Sequence, residues 1–308
     1  MLAFILRRLA IAVPTMLIII VVSFFVIQLA PGSPFDAEAD LDPQIIANIR
    51  AAYNLDKPVW EQLWLYLVNL AHGDFGPSFT YKELSATDII ATGLPVSVKL
   101  GLAAITIGLL FGLLLGIIAA IHQNGAMDYS VMTLSMTGVA IPTFVTAPFL
   151  ALFFGLYLGW LPISGWDGGA LRNMVLPVAA LALPKIGVIA RITRGGMLEV
   201  LRADHVRTAR AKGLSEPVVI FRHTLRSAIF PVVSYLGPAI ATVMTGSVVI
   251  EQYFGLPGIG RAFVSGALNR DYPVIMGIVI VYASFIIVLN LLVDIAYRFL
   301  DPRIKDDA

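Results

Sequence analysis

The chain has 308 residues, of which 58% are hydrophobic and only 13% are charged, and its mean hydropathy is +0.85. Soluble domains carry about 25% charged residues, so this composition excludes an ordinary soluble protein and predicts a polytopic membrane protein. The formal net charge is +1 and the sequence contains no cysteine. Disulfides, thiolate catalysis and cysteine-based metal sites are therefore excluded.

Six segments of the sequence are long and apolar enough to span a bilayer as helices. They run from about Leu9 to Ala30, Leu94 to Ile121, Tyr129 to Leu158, Met174 to Ile192, Ile229 to Ile250 and Pro273 to Leu300. The first segment follows Arg7 and Arg8 and is longer than the apolar core of a signal peptide, so we interpret it as a retained helix. The sequence therefore predicts six transmembrane helices.

The basic residues of the short loops predict the orientation of the chain. Arg7 and Arg8 precede the first helix, and the segment 191–226 holds eight basic and three acidic residues, a net charge of +5. Lys and Arg are enriched in cytoplasmic loops. With six spans, both regions lie on the same side, so we predict that the N and C termini are cytoplasmic.

The long loop between the first two spans is predicted to be extracytoplasmic and structured. We divide the chain into the first transmembrane helix at 1–30, an extracytoplasmic loop with short helices at 31–93, and a five-helix core at 94–308. One short helix is predicted over 42–53 and a second over 57–72, where apolar residues recur at helical spacing. Trp60, Trp64 and Tyr66 either lie at the membrane interface or pack within the loop.

Glycine and proline residues mark unusual positions within three of the spans. Small residues four apart allow close approach of helix backbones, whereas proline frees backbone carbonyls that must face protein or water. The prolines therefore indicate either a water-accessible path or simple kinks. The glycines are Gly108, Gly112 and Gly116 in the second span, and the prolines are Pro142 and Pro148 in the third and Pro177 and Pro184 in the fourth.

A short helix can be delimited within the basic segment. Asp204 is a good N-cap residue, and Arg210 and Lys212 complement the helix dipole at the other end. Gly213 lies where a left-handed C-terminal residue is expected, and Pro217 follows. The resulting helix of about eight residues is marginal by itself in water. We therefore expect this loop to dock on another molecule.

The same segment resembles the coupling segment of ABC-importer permeases, whose general pattern is Glu-Ala-Ala, three residues, Gly, nine residues, and Ile-x-Leu-Pro. The chain matches this pattern at Ala209, Gly213 and Leu225. It departs from the pattern at Arg207, Thr208, His223 and Arg226, as the peptide-importer branch of the family does. The segment from about 199 to 228 is therefore predicted to be a cytoplasmic coupling segment.

Further motifs that resemble the peptide-importer branch occur in order along the whole chain. Each motif alone is weak evidence, but their order makes the resemblance strong. They are Leu29-Ala-Pro-Gly-Ser-Pro34, Leu55-Asp-Lys-Pro58, His72-Gly-Asp-Phe-Gly-Pro-Ser-Phe79, Gly159-Trp-Leu-Pro162, Arg191-Ile-Thr-Arg-Gly195, Tyr253-Phe-Gly-Leu-Pro-Gly-Ile-Gly260, Arg270-Asp-Tyr-Pro273 and Asp301-Pro-Arg303.

The resemblance implies an all-α ABC type I importer permease fold and a multi-pass subunit of a bacterial inner membrane. It implies import of peptides, with dipeptides, glutathione, cell-wall peptides or nickel as alternative cargoes. The implied partners are a homologous second permease, one or two ABC ATPase subunits that bind ATP and Mg, and an extracytoplasmic peptide-binding protein. No cofactor or nucleic acid is expected on this chain. The residues implied in coupling to the ATPase are Asp204, Arg207, Thr208, Ala209, Lys212, Gly213 and Leu225.

The sequence lacks the common motifs of enzymes. No P-loop, His-Glu-x-x-His or Gly-x-Ser-x-Gly motif occurs, so we predict a transport subunit that does not itself hydrolyse ATP. Lys185 lies within the fourth span and Glu251 at the end of the fifth, and both are candidates for the translocation path. An ion-coupled secondary carrier is the alternative class, but such carriers usually show inverted repeats and several ionisable residues at the midplane.

Overall fold

The computed structural model describes residues 2–29, 44, 47–48, 51 and 53–300, and these residues are almost entirely helical. Within them, the structure shows no strand beyond an isolated bridge between Pro77 and Ser85. The all-α prediction is confirmed. The predicted helix over 42–53 and the motifs at 29–34 and 301–303 lie largely outside the described residues.

The helices are numbered in chain order. They are α1 (Leu2–Gln28), α2 (Val59–Ala71), α3 (Ala86–Ile121), α4 (Ala126–Ala140), α5 (Thr143–Leu150), α6 (Leu171–Val200), α7 (Asp204–Ala211), α8 (Glu216–Val218), α9 (Leu225–Ala228), α10 (Phe230–Phe254), α11 (Ile259–Leu268) and α12 (Tyr272–Leu300). Two π-helical segments, Ala151–Tyr157 and Val219–Thr224, continue α5 and α8.

Among the described residues, five helices are long and apolar enough to cross a membrane, and a bent pair can supply a sixth crossing. The five are α1, α3, α6, α10 and α12. The pair consists of α4 and of α5 with its π-helical continuation, and the two parts meet at an angle of 103°. Ile141 is extended at the break because a residue that precedes proline is disfavoured in the helical region. The predicted interruption at Pro142 is confirmed.

The other boundaries differ from the prediction in ways that local chemistry explains. Helix α3 begins at Ala86, before the predicted start near Leu94. The Ser85 hydroxyl accepts from the Asp88 backbone N–H at 3.1 Å, and the Asp88 carboxylate accepts from the Ser85 N–H at 3.0 Å. This reciprocal pair is a capping box, which starts the helix about two turns before the predicted position. Pro177 and Pro184 lie inside α6 without ending it.

The chain divides into two compact units, one formed by residues 1–97 and 257–287 and the other by 98–256 and 288–308. In the first unit, α1, α2 and α12 share an apolar cluster around Ile20, Phe24, Met276 and Ile280. Asp271 accepts hydrogen bonds from the Ser78 hydroxyl and from the backbone N–H groups of residues 79 and 80. Two motifs far apart in sequence are therefore joined. The sequence-based domain division stays a prediction.

In the second unit, α3 packs closely against α6 through its three glycines. A Cβ atom added at Gly108 would lie 2.9 Å from the Cβ of Lys185. The corresponding distances are 2.7 Å from Gly112 to Ile189 and 2.5 Å from Gly116 to Thr193. Because both series advance by four residues, the two backbones run side by side over two helical turns. The predicted close packing is confirmed.

Candidate functional site

The short helix predicted within the basic segment is present as α7, and it has eight residues. Its inner face is formed by Val206 and Ala209, which are 0% and 5% exposed. Both pack against Val219 of the following π-helical segment and against Val200 at the end of α6. The chain thus supplies α7 with a small core of its own, which leaves the opposite face of α7 free of contacts within that core.

Gly213 ends α7 through a left-handed backbone. Its φ is +75°, its N–H donates to the carbonyl of Arg210 at 2.9 Å, and the N–H of Leu214 donates to the carbonyl of Ala209 at 3.4 Å. This pair of bonds is the Schellman arrangement that satisfies the last carbonyls of a helix. The prediction of a positive φ at Gly213 is confirmed. A Cβ atom at this position would meet no atom of the chain within 4 Å.

The prediction that Asp204 caps the start of α7 is wrong. The N-cap residue is Ala203, whose backbone is extended, and no side chain caps the helix there. Asp204 is the first helical residue, and its carboxylate lies 3.7 Å from the Arg207 guanidinium. An acidic residue in the first turn still favours the helix through the dipole. Its role is therefore electrostatic.

The outward face of α7 and the turn that follows it are polar and basic. The side chain of Arg207 is 71% exposed, and Thr208, Lys212 and Gly213 are exposed as well. Arg210 donates to Glu216 at 2.8 Å, and this hydrogen bond raises the pKa of Arg210. The pair is exposed and contributes at most about 1 kcal/mol. This face carries cationic groups and the hydroxyl of Thr208.

An apolar cluster connects the predicted coupling segment to the spans. Ile220, Leu225 and Ala228 pack with Met197 of α6 and with Ile117 and Ala120 of α3. A Cβ atom at Gly196 of α6 would lie 2.6 Å from the carbonyl oxygen of Ala228, so the backbones approach closely. Of the predicted coupling residues, Ala209 and Leu225 therefore face inward and the others are exposed. Val200 at the end of α6 borders both this cluster and the small core under α7.

An ion pair between a buried carboxylate and a partly buried guanidinium joins the start of α4 to α6. The Asp128 side chain is 2% exposed, and its two oxygens each lie 2.6 Å from a guanidinium nitrogen of Arg194. Asp128 also accepts from the backbone N–H of Asn124 at 2.9 Å. Bidentate pairs of this kind fix orientation as well as distance. The sequence pointed to Arg194 only through its motif and gave no sign of Asp128.

The two residues predicted for the translocation path occupy different environments. Lys185 lies on α6 and is partly buried, with its Cβ opposite Gly108 of α3. The Glu251 side chain is fully buried and accepts from the Ser247 hydroxyl at 2.8 Å. Across the described residues, no three His, Asp or Glu side chains come together as a possible metal site. The predicted role of both residues in the path stays a prediction.

The membrane-length helices, with a short helix of exposed polar face between two of them, define an integral membrane protein. Comparison of the sequence with known families agrees with this class. Residues 112–306 match the family described as the binding-protein-dependent transport system inner membrane component, and residues 1–100 match the N-terminal part of such components. The chain belongs to this family, and it is a protein of the inner membrane.

Several characterised relatives are similar over their whole length. The chain is 52% identical over 305 residues to the oligopeptide transport system permease protein OppB of Escherichia coli K12, covering 99% of this chain and 100% of the relative. It is 50% identical over the same shares to OppB of Haemophilus influenzae. It is 44% identical over 291 residues to the dipeptide transport system permease protein DppB of Bacillus subtilis, covering 94% of both chains.

Solved structures support the fold. An inward-facing structure of the MetNI methionine ABC transporter matches with a TM-score of 0.60 at 15% identity, covering 69% of this chain and 96% of the other. A crystal structure of an amino acid ABC transporter with histidines matches with a TM-score of 0.52 at 21% identity, covering 69% and 94%. The predicted fold of an ABC importer permease is confirmed, while the orientation of the termini stays a prediction.

Proposed function

We propose that this chain is a membrane-spanning permease subunit of an ATP-driven importer of peptides. The observation that carries the proposal is the end-to-end similarity to oligopeptide and dipeptide permeases. The higher identity to the oligopeptide permeases favours oligopeptides as cargo. Glutathione, cell-wall peptides and nickel are the alternative cargoes within the same fold.

The proposed partners bind on the cytoplasmic side, within the membrane and on the extracytoplasmic side of the subunit. On the predicted cytoplasmic side, the exposed face of α7 would fit a cleft on an ABC ATPase subunit, which supplies ATP and Mg. A homologous permease would complete the translocation path, and an extracytoplasmic binding protein would deliver the peptide. The packing of α7 supports this assignment, because a helix with a small core of its own can keep its shape while its other face binds a partner.

The proposed mechanism is alternating access driven by the ATPase. Closure of the ATPase dimer around ATP would displace α7, and the cluster of Ile220, Leu225 and Ala228 would carry the displacement to α3 and α6. The bidentate pair of Asp128 and Arg194 would move α4 together with α6. A peptide changes the balance between two states only if it binds them with different affinity. Hydrolysis of ATP would then reset the path.

We also propose that Lys185 faces the path and contacts the carboxylate of the peptide. Its place within an apolar span supports this role, because ionisable side chains at such positions usually serve a pathway or a specific partner. Glu251 would contribute to the same path from α10. Its burial against Ser247 makes a supporting role, rather than direct contact with peptide, the simpler form of the proposal.

A growth and uptake experiment tests the substrate. Deletion of the gene should abolish growth on peptides as the sole source of an essential amino acid, while the free amino acid still supports growth. Peptides of increasing length distinguish an oligopeptide importer from a dipeptide importer. In the same uptake assay, Lys185→Ala should impair peptides with a free carboxylate more than amidated peptides. Unimpaired uptake in the deletion strain, with no redundant importer present, would contradict the proposed cargo.

A further inference from the structure

Helix α2 presents two tryptophan side chains away from the protein. Trp60 is 75% exposed, Trp64 is 66% exposed, and Val68 continues the same row. Residues four apart lie on one face of a helix, so these side chains form a single apolar row. Exposed tryptophans at adjacent turns are unusual on a surface that meets only water, because each indole ring exposes a large apolar area whose burial is favourable.

The other side of α2 is held firmly by the protein. Leu63, Leu67 and Leu70 pack into the cluster that contains Ile20 and Phe24 of α1. Tyr66 belongs to this inner side, and burial raises the pKa of its phenol. Of the three aromatic residues that the sequence suggested for a membrane interface, Tyr66 therefore packs inside the unit and only the two tryptophans face outward.

The contacts of α2 with α1 indicate its depth. Gln28, the last residue of α1, donates to the side chain of Gln62 at 2.8 Å. Ile20 and Phe24 lie eight and four residues before this end, which corresponds to about 12 and 6 Å of helix. Helix α2 thus lies against the final turns of a membrane-spanning helix. That is the depth at which hydrocarbon gives way to lipid headgroups.

Apart from the face that carries Ile20 and Phe24 and packs against α2, helix α1 is largely exposed. In the apolar 18-residue stretch of α1, only 11% of the residues are buried inside the protein. Ile18, Val22 and Val26 are 62%, 55% and 62% exposed. Successive residues of a helix are rotated by about 100°, so a continuous apolar arc runs around α2 from its inner side to its exposed side. In order around the helix, this arc contains Leu63, Leu67, Trp60 and Trp64. The polar side chains of Gln62 and Asn69 lie on the opposite side of the helix.

We propose that α2 is an interfacial helix whose Trp60 and Trp64 insert into the bilayer leaflet beside the end of α1. The occupant of this face is lipid, because α2 packs against the final turns of a membrane-spanning helix, at the level where hydrocarbon gives way to headgroups. An indole ring suits this boundary, since its apolar body enters the acyl region while its N–H reaches the polar ester groups. The contacts of α2 with α1 and α12 would then hold this part of the loop at a fixed depth.

Cysteine labelling in membranes tests the proposal. The native chain has no cysteine, so Trp60→Cys and Trp64→Cys each introduce a unique thiol, and Asn69→Cys on the polar side is the matched control. The assembled transporter is labelled with a membrane-impermeant maleimide in open, washed membrane fragments, and the tagged chain is resolved on a gel. The maleimide stays in the aqueous phase and reacts with the thiolate, which forms poorly in an apolar environment. Burial in lipid should therefore slow labelling at positions 60 and 64 at least about tenfold relative to position 69.

All three positions are exposed in the chain alone, so slower labelling at 60 and 64 reports cover from outside the chain. Labelling at these positions as rapid as at 69 would overturn the proposal. Protection that is lost in membranes from cells without the binding protein would also overturn it, in favour of a protein partner. Full labelling of all three variants after denaturation confirms that each thiol is intact.

A second measurement avoids cysteine variants. The purified chain is reconstituted with lipids brominated near the ester group, and its tryptophan fluorescence is compared with that of the Trp60→Phe/Trp64→Phe double variant. The chain has four tryptophans, so the difference reports Trp60 and Trp64 alone. We expect the brominated lipid to quench this difference signal strongly. Quenching by aqueous iodide without quenching by the brominated lipid would contradict the proposal.

Discussion

Gly213 ends α7 through its backbone conformation and not through contact with a neighbour. Its φ is +75°, and a Cβ atom there would meet open space. A β-branched side chain in the left-handed region costs about 1–2 kcal/mol relative to glycine. We therefore expect a substitution at Gly213 to distort only the end of α7 and to leave the membrane-spanning helices unchanged.

We predict that Gly213→Val abolishes peptide uptake and reduces recovery of the ATPase subunit on the tagged permease. The strained turn would release the bonds from Gly213 and Leu214 to the helix carbonyls, and the end of α7 would no longer fit its partner. Uptake in membrane vesicles and co-purification of the ATPase measure the effect. Abundance of the permease in the membrane is measured alongside.

Gly213→Asn is the matched control, because asparagine tolerates the left-handed conformation far better than valine. Neither side chain meets an obstacle within the chain, so a difference between the two variants reports the backbone. We expect the asparagine variant to retain most of the uptake. If the valine variant showed normal uptake and full ATPase recovery at normal abundance, α7 would not be the coupling element.

The two ends of α7 show what single residues reveal before a structure is known. Gly213 was correctly predicted because few other residues accept a positive φ, so one glycine after a basic turn is informative. Asp204 was wrongly predicted as the N-cap because an acidic residue is favoured both at the cap and in the first turn. The choice between these positions depends on the extended backbone of Ala203, which no side-chain preference specifies.

At the scale of helices, the close contact of α3 with α6 depends on glycine at each point of contact. At Gly116, a Cβ atom would lie 2.5 Å from the Cβ of Thr193 and 2.6 Å from the carbonyl oxygen of Ala190. The second of these neighbours is backbone and cannot rotate away. The two helices would therefore have to separate, and this contact lies beside the cluster that connects α3 and α6 to the predicted coupling segment.

We predict that Gly116→Ala destabilises the permease by about 1–3 kcal/mol through overpacking. The matched control is Gly195→Ala in α6, where a Cβ atom meets nothing within 4 Å. Alanine is a better helix former than glycine, so the control should be neutral or stabilising by about 0.5–1 kcal/mol. Thermal inactivation of uptake in purified, reconstituted transporter provides the comparison. Equal stability of the two variants would show that the contact at Gly116 relaxes freely.

Local patterns predicted the helices and their close contacts, whereas distant polar pairs were invisible in the sequence. The glycines of α3 and the break at Pro142 follow from rules that act within one or two turns. Asp128 and Arg194 are 66 residues apart, and Ser78 and Asp271 are 193 apart. Nothing in the sequence specifies which carboxylate meets which partner, because that choice is made by the packing of helices. The short helix α7 was predicted because its residues are contiguous.

At the scale of the whole molecule, the number of membrane crossings is five or six, depending on whether the bent pair of α4 and α5 spans the bilayer. The length of α6 allows the distance that the bent pair covers to be estimated. Asp128, at the start of α4, is bound to Arg194. The side chain of Asn173, at the start of α6, donates to the carbonyl of Gly165, which lies beyond the bent pair, at 3.1 Å. Between residues 173 and 194 the helix rises about 32 Å, which matches the hydrocarbon core of a bilayer.

The bent pair therefore begins near one end of α6 and the chain that follows it reaches the other end, which is the behaviour of a broken span and not of a re-entrant loop.

We predict that reporter fusions at Gly125 and Leu214 give a cytoplasmic signal and that fusions at Ala71, Gly165 and Gly260 give an extracytoplasmic signal. The prediction that the segment 191–226 is cytoplasmic rests on its basic residues. Gly125 and Gly165 are the decisive pair, because a re-entrant loop would place both on one side. Signals from the same side at these two positions would leave five crossings, and an extracytoplasmic signal at Leu214 would separate α7 from any cytoplasmic ATPase.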